Sequence, residues 1–217
     1  MAKQHQQHDN EQLARYLQEQ ASKLGVGEIF WLGIAGAPGS GKSTLSRALC
    51  ERLGQQAIVI PMDGYHYYRR ELDQMPDPKE AHRRRGAPFT FNAERFVAEL
   101  SKAQQRGEGR FPSFDHGTGD PVEDDIHLIH GQHKIALVEG NYLLLDEQPW
   151  CNLRPLLHET WYLDVPFDLC MQRIKQRFLA TGRDQQTAEF RVVYNDRPNA
   201  ELVARDSPKN ADRVILS

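Results

Sequence analysis

Hydrophobic residues follow two alternating patterns along the chain, which together predict an α/β protein. In residues 9–24 and 45–53, leucine and alanine recur at helical spacing. Nearly continuous apolar runs, typical of strands buried on both faces of a parallel sheet, occupy residues 29–35, 57–60, 134–138, 161–165 and 214–216. Strands that alternate with helices predict a parallel sheet with helices on both faces.

The remaining segments carry weaker signals. Pro166 fits the first turn of a further helix, and Asn92 can cap another helix that ends before Gly107. Residues 64–90 are rich in Arg, Tyr, Pro and Asp with little periodicity, so we expect an excursion with one short helix. Residues 110–133 predict loop and a short strand.

The expected organisation is a single domain over residues 1–217. It comprises an N-terminal polar tail and helix (1–27), a substrate-side insertion (64–133) and a lid region (173–190). The first ten residues are polar, and we expect them to be frayed.

Composition limits the classes of partner and compartment. The 217 residues carry 30 acidic and 27 basic side chains, a formal net charge of −3, which disfavours a general grip on nucleic acid or on anionic membranes. We expect a small-molecule partner and leave a homodimer open. Three cysteines without metal-type spacing argue against a disulfide scaffold. Because no apolar segment approaches a membrane span or a signal peptide core, we expect a cytoplasmic protein.

The segment after the first apolar run predicts a phosphate-binding loop. Its sequence, Gly36-Ala37-Pro38-Gly39-Ser40-Gly41-Lys42-Ser43, fits the pattern G-x-x-x-x-G-K-[ST] and is followed by Thr44. Glycines let backbone N–H groups point at phosphate oxygens, and the following helix adds its positive dipole end. Lys42 can neutralise the β- and γ-phosphates, and the Ser43 hydroxyl can hold Mg²⁺. The motif lies between a predicted buried strand and a predicted helix, where phosphate binding needs it, so a chance match to the pattern is improbable.

Absent motifs narrow the class of nucleotide-binding protein. The chain contains neither Asp-x-x-Gly nor Asn-Lys-x-Asp, which a GTPase would carry, and it lacks the Leu-Ser-Gly-Gly-Gln of transporter ATPases. A small kinase remains, in which loops beyond the sheet hold the phosphoryl acceptor.

Two carboxylates follow apolar runs, where parallel strands would deliver them to one edge of the sheet. Asp63 can accept the proton of an acceptor hydroxyl or help to arrange Mg²⁺, and Glu139 can organise the metal's water shell. The alternatives are a turn or capping aspartate and a solvated glutamate. Which of the two dominates metal binding stays open.

Loops on the same side supply a mixture of aromatic and polar groups that could stack on an acceptor and hydrogen-bond its hydroxyls. These candidates are Tyr65, His66, Arg84, Arg85, Phe114, Asp115 and His116. For the arginines, a solvated charged turn is nearly as good an interpretation.

An ordered set of motifs resembles the phosphoribulokinase/uridine kinase family, with bacterial-type pantothenate kinase as a relative. Besides the loop, the matching segments are 61–66, 84–88, 112–115, 138–144 and 210–215, which together span about residues 29–216. The chain looks most similar to bacterial kinases related to uridine kinase, some of them labelled fructose-transport-system kinases.

The resemblance implies a three-layer P-loop NTPase fold of the nucleoside/nucleotide kinase type, with ATP as donor and Asp63 as base. Phe114 stands where uridine kinase itself has a tyrosine, which puts a pyrimidine nucleoside acceptor in doubt.

The resemblance also suggests which residues close over the nucleotide. Arg173, Arg177 and Arg183 flank a helix end, where related kinases carry lid arginines that fold over the phosphates. Residues 195–199 are turn-forming and could line the base. Residues 207–210, with Pro208 and Lys209, resemble the family's loop beside adenine.

The sequence therefore predicts an ATP-dependent kinase that transfers the γ-phosphoryl group to a hydroxyl of a nucleoside, sugar or vitamin precursor, with Mg²⁺. The alternatives are uridine or pantothenate kinase proper, or a nucleotide-binding regulator or ATPase without acceptor phosphorylation. A nucleic-acid kinase is disfavoured by the acidic balance.

Overall fold

A parallel sheet forms the centre of the molecule. The computed structural model describes residues 6–7 and 9–216, and its main sheet has the strand order β1-β8-β7-β2-β6-β3, with every neighbouring pair parallel. The strands are β1 (Gln6–Gln7), β2 (Phe30–Gly36), β3 (Ala57–Pro61), β4 (Gly109–Asp115), β5 (Asp120–Leu128), β6 (Ile135–Gly140), β7 (Glu159–Asp164) and β8 (Arg213–Leu216). All five apolar runs are strands of this sheet, as predicted.

Helices cover both faces of the sheet. They are α1 (Asn10–Ser22), α2 (Lys42–Leu53), α3 (Arg69–Leu72), α4 (Pro78–Arg83), α5 (Ala93–Arg106), α6 (Phe167–Ala180), α7 (Gln185–Arg191) and α8 (Arg197–Asn210). Leu17 of α1 and Leu49 of α2 are buried in one apolar layer, whereas Phe96 of α5 and Val203 of α8 are buried in the other. The predicted three-layer α/β architecture is confirmed. No helix among residues 9–216 is both long and apolar enough to cross a bilayer.

The segment between β3 and β6 is more ordered than predicted. Residues 110–133 contain the antiparallel hairpin of β4 and β5, not loop with a short strand. Residues 122–125 of the hairpin are all exposed and Phe111 is buried, so the hairpin lacks the continuous apolar run of a fully buried strand. Residues 64–90 hold two short helices, and the Asp77 carboxylate caps the second by accepting from the Glu80 N–H.

Two predictions about irregular segments are also wrong. Residues 195–199 are not a turn, because a π-helical turn at Val192–Asp196 continues directly into α8. Residues 207–210 are the last turn of α8 and not a loop. The expected fraying of the first ten residues does not hold for Gln6–Gln7, which pairs with β8, while residues 1–5 and 8 lie outside the described residues.

Candidate active site

The loop between β2 and α2 has the backbone that phosphate binding needs. Gly39 and Gly41 adopt φ values of 80° and 94°, a left-handed conformation that favours glycine. A side chain at Gly39 would also lie 2.5 Å from the carbonyl oxygen of Cys170 in α6. The loop is therefore packed tightly beneath α6.

Two oxygen atoms hold the side-chain ammonium group of Lys42, in the first turn of α2, beside this loop. Its side chain is buried at 7% exposure, and Nζ donates to Asn141 Oδ1 at 2.7 Å and to the Ala37 carbonyl at 3.2 Å. Burial lowers the pKa of Lys42, against the opposing effect of the carboxylates of Glu139 and Asp63. A phosphate bound in the loop would favour the charged form of this ammonium group, as the two carboxylates do.

Asn141 is a residue to which the sequence analysis gave no role. It follows Glu139 by two positions at the end of β6, and its amide oxygen fixes the position of the Lys42 ammonium. Its place after a buried strand that pairs with β2 was the signal that could have found it.

A hydroxyl and two carboxylates lie together beside the loop. Ser43 Oγ donates to Glu139 Oε1 at 2.8 Å, and burial raises the pKa of Glu139, an effect that the Asp63 charge reinforces and the Lys42 charge opposes. These oxygen donors suit Mg²⁺, which is commonly bound by one or two carboxylates together with phosphate oxygens and water. The described residues contain no cluster of three or more His, Cys, Asp or Glu side chains able to hold a metal by themselves. A Mg²⁺ ion here would depend on the bound nucleotide.

One cavity of about 730 Å³ connects these groups. Residues 38–45 line its floor, and Asp63, Glu139 and Asn141 line the side toward β6 and β3. On the other side, toward β8, its walls come from α1 and the end of the last strand. Asp63 therefore faces the same space as the phosphate loop.

Two of the three predicted lid arginines line this cavity. Arg173 and Arg177 extend from α6, and Arg173 Nη1 lies 3.4 Å from the Gly39 carbonyl oxygen. Arg183 does not line the cavity; its guanidinium lies over the Phe178 ring at 4.8 Å from the ring centroid.

A protein-family model described as phosphoribulokinase / uridine kinase family matches residues 31–215. The chain belongs to the phosphoribulokinase/uridine kinase family. The parallel sheet and the loop between β2 and α2 give this family member a P-loop NTPase fold, as predicted.

Individual relatives agree with this assignment. A Schizosaccharomyces pombe protein provisionally named uridine kinase C227.14 is 40% identical over 184 residues, which are 81% of this chain and 78% of that protein. The Escherichia coli K12 protein YggC is 34% identical over 191 residues, 84% of this chain and 75% of its own length. Among solved structures, a Silicibacter sp. TM1040 protein provisionally named fructose transport system kinase has a TM-score of 0.80 at 30% identity, covering 94% of this chain and 98% of that one. The Rhodobacter spheroides phosphoribulokinase, at 14% identity, shares the fold with a TM-score of 0.63 over 88% of this chain and 71% of its own.

The predicted acceptor residues of this kinase-family chain are less tightly grouped than expected, and none of the seven lines the cavity. Tyr65 is a core residue: its ring packs on Phe96 and its hydroxyl donates to Glu99 at 2.7 Å. Asp115 accepts from the Gly117 N–H in the exposed turn of the hairpin, and His116 is exposed in that turn.

A ring cluster does form next to Asp63. The His66 ring lies 3.9 Å from that of Phe91 and 4.7 Å from that of Phe114, measured between centroids. His66 Nδ1 also lies 2.8 Å from the Asp63 carbonyl oxygen, which fixes the ring beside the carboxylate-bearing turn. The ring of His116 lies 5.2 Å from that of Phe114, again between centroids. His66, Phe114 and His116 therefore stay acceptor candidates by position.

Arg84 and Arg85 are engaged in structural contacts. Arg84 donates to the side-chain oxygens of Asn195 and Asn199, at 3.2 and 3.3 Å. Arg85 donates to the Tyr67 carbonyl and pairs with Asp120 at 3.1 Å. These contacts fasten the 84–86 segment to the hairpin and to the start of α8.

The predicted adenine contacts at Pro208 and Lys209 lie elsewhere in the molecule. Both residues are in the last turn of α8 and neither lines the cavity. Lys209 Nζ instead pairs with Asp146 at 2.6 Å and with Asp206 at 3.4 Å.

Proposed function

We propose that this chain is an ATP-dependent kinase that transfers the γ-phosphoryl group to a hydroxyl of a small metabolite, with Mg²⁺ as its metal. The supporting observation is that a single cavity contains the phosphate loop and the Asp63 carboxylate. Since β6 and β3 lie on one side of β2, a nucleotide with its phosphates in the loop would present its γ-phosphate toward that side.

Each group has a defined task in this reaction. Asp63 accepts the proton of the acceptor hydroxyl while the hydroxyl oxygen bonds to the γ-phosphorus, and the bond from that phosphorus to the β–γ bridging oxygen breaks to release ADP. Lys42, held by Asn141, neutralises phosphate oxygens, and Arg173 and Arg177 stabilise the charge that spreads over the transferring group. Ser43, Glu139 and Asp63 would hold Mg²⁺, which supplies further neutralisation when bound.

The acceptor is proposed as a nucleoside, sugar or vitamin precursor. Uridine is one member of this set, since it appears in the name of the Schizosaccharomyces pombe relative. The rings of His66 and Phe114, beside the turn that carries Asp63, support an acceptor with a planar or apolar face. A coupled ADP-release screen over nucleosides, sugars, sugar acids and vitamin precursors would identify it.

Asp63→Asn tests the proposal, because asparagine keeps the size of the side chain but removes its charge and basicity. ATP should still bind in the loop, while single-turnover transfer should fall by about 10²- to 10⁴-fold. Asp164→Asn is a matched control, since Asp164 ends the neighbouring strand β7 but is exposed and outside the cavity. It should leave transfer unchanged.

Three outcomes would revise the proposal. Full transfer by Asp63→Asn would remove Asp63 from the chemistry. Loss of ATP binding in the presence of Mg²⁺ would make Asp63 mainly a metal ligand. ATP turnover by the wild type that no acceptor in the screen accelerates would favour an ATPase or regulator.

A further inference from the structure

Asn141 follows the middle one of three strands whose ends meet at the cavity. β6 lies between β2 and β3, and its residue Glu139 is paired with Pro61 of β3. Two positions further along each chain come Asn141 and Asp63, while the phosphate loop follows β2 on the other side. Neighbouring strands are about 5 Å apart. Asn141 therefore lies between the loop and Asp63, and all three line the cavity.

The contact with Lys42 determines which end of the Asn141 amide is still available. An ammonium group can only donate, so the atom 2.7 Å from Lys42 Nζ must be the amide oxygen. The amide nitrogen carries two N–H donors, and neither has a partner in the described part of the chain. Asn141 thus brings an unused pair of donors to the cavity.

We propose that Asn141 is a catalytic residue, whose amide nitrogen donates a hydrogen bond to the transferring γ-phosphoryl group while its amide oxygen holds Lys42. This role rests on the proposed function and adds a neutral donor to that site. The neighbouring carboxylates of Asp63 and Glu139 can only accept when they are ionised, and they repel phosphoryl oxygens. A donor between them offsets that repulsion where the phosphoryl group must pass.

The contact with Lys42 makes Asn141 a better donor. Lys42 is itself restrained, because it is buried and its ammonium group also donates to the Ala37 carbonyl oxygen at 3.2 Å. A hydrogen bond accepted at the oxygen of an amide polarises that amide and strengthens its N–H donors. A donor that is fixed before the reaction stabilises developing charge without reorganisation. Asn141 gains and loses no proton in the transfer, and the bonds made and broken are those of the proposed reaction.

The test uses two ligands that differ at the γ-position and need no acceptor. One is ADP with Mg²⁺, and the other is the same complex with aluminium fluoride, which mimics the phosphoryl group in the transition state. Affinities are measured by calorimetric titration on the full chain. Asn141→Ala should weaken the aluminium fluoride complex about 10- to 100-fold, the effect of one hydrogen bond to a charged group. The affinity for ADP alone should hardly change, because ADP leaves the γ-position empty.

Asn141→Asp separates the two ends of the amide. A carboxylate still accepts from Lys42 but has no N–H group, so this variant should bind the aluminium fluoride complex no more tightly than Asn141→Ala does. Asn152→Ala is the matched control, because Asn152 is exposed, lies outside the cavity and pairs its amide with Gln148. It should change neither affinity.

Several results would overturn the role of Asn141. Unchanged affinity of Asn141→Ala for the aluminium fluoride complex would remove the donor from the reaction. An equal loss for both ligands, or tighter binding of the aluminium fluoride complex by Asn141→Asp than by Asn141→Ala, would mean that Asn141 acts only through Lys42. A wild type that does not bind ADP, or whose affinity for ADP aluminium fluoride does not raise, would instead refute the proposed function itself.

Discussion

Asp196 is a buried carboxylate that should cost the protein stability at neutral pH. It ends the π-helical turn before α8, is 8% exposed, and its Oδ2 has no hydrogen-bond partner among the described residues. Burial raises the pKa of Asp196 from 3.8 to about 6, although the positive charges of Arg191, Arg177 and Arg183 act in the opposite direction. We predict that Asp196→Asn, which keeps the shape and removes the charge, stabilises the fold.

The sign and size of the effect follow from linkage. Below the unfolded-state pKa of 3.8 both states hold the proton, so Asp196 costs nothing there. As the pH rises from 3.8 toward about 6 the unfolded chain releases the proton first, and the folded state loses relative stability until its own carboxyl ionises. A tenfold change in an equilibrium is worth about 1.4 kcal/mol, so the full loss amounts to about 3 kcal/mol.

The assay is urea unfolding of wild type and variant between about pH 4 and pH 8. The stability advantage of Asp196→Asn should be small at the acid end and grow to about 3 kcal/mol above pH 6. Asp184→Asn is a control of opposite sign, because hydrogen bonds from Thr187 lower the pKa of Asp184 at the exposed start of α7. It should not stabilise the protein at neutral pH.

A difference that does not vary with pH would refute this reasoning about Asp196. So would a wild type that is more stable than Asp196→Asn at pH 7. Either result would mean that Arg177, Arg183 and Arg191 hold the buried carboxylate in its charged form and offset the cost of burial.

Two further predictions concern the lid arginines and the close packing of strand β4 of the hairpin against Gly64. Arg177→Ala should lower kcat and kcat/KM together by about 10²-fold. Arg173→Ala should cause a smaller loss, because the Arg173 guanidinium already contacts the Gly39 carbonyl oxygen of the loop. Unchanged kcat in both variants would place the lid elsewhere. Gly64→Ala would put Cβ 2.1 Å from the Pro112 carbonyl oxygen of β4, so thermal unfolding should show a loss of about 1–3 kcal/mol. Gly25→Ala meets mainly a flexible glutamate and should be nearly neutral, and equal effects of the two glycine substitutions would contradict the steric argument.

The sequence by itself determined the central sheet and the phosphate loop. A strand of a parallel sheet is buried on both faces, so the segments that form β2, β3, β6, β7 and β8 are nearly continuous apolar runs. Such runs can be recognised from the local sequence, without knowledge of the neighbouring strands. The phosphate loop could also be predicted from a short stretch of sequence, because glycines at fixed spacing before a helix suffice to direct backbone N–H groups toward phosphate. Asp63 and Glu139 followed from these elements, since parallel strands deliver their ends to one edge of the sheet.

The hairpin and the acceptor side depended on contacts between distant residues. Residues 122–125 of β5 are all exposed, and the pairing shifts register between Phe111 and Ser113, so the hairpin has neither an apolar run nor a regular alternation. Tyr65 was predicted to be a site residue as one of the aromatic and polar groups on loops of the acceptor side. Glu99, 34 positions later, accepts a hydrogen bond from its hydroxyl and keeps it in the core. Arg84 was fixed in the same way by Asn195 and Asn199, more than a hundred positions away.

The far end of the cavity was decided by tertiary structure alone. Nothing local distinguishes Asn10 from the other polar residues near the start of the chain. It lines the cavity because α1 packs on the sheet near β8, which is formed by the last residues of the chain. Local pattern fixes which elements form, whereas the burial of their apolar faces against one another fixes which side chains share a site.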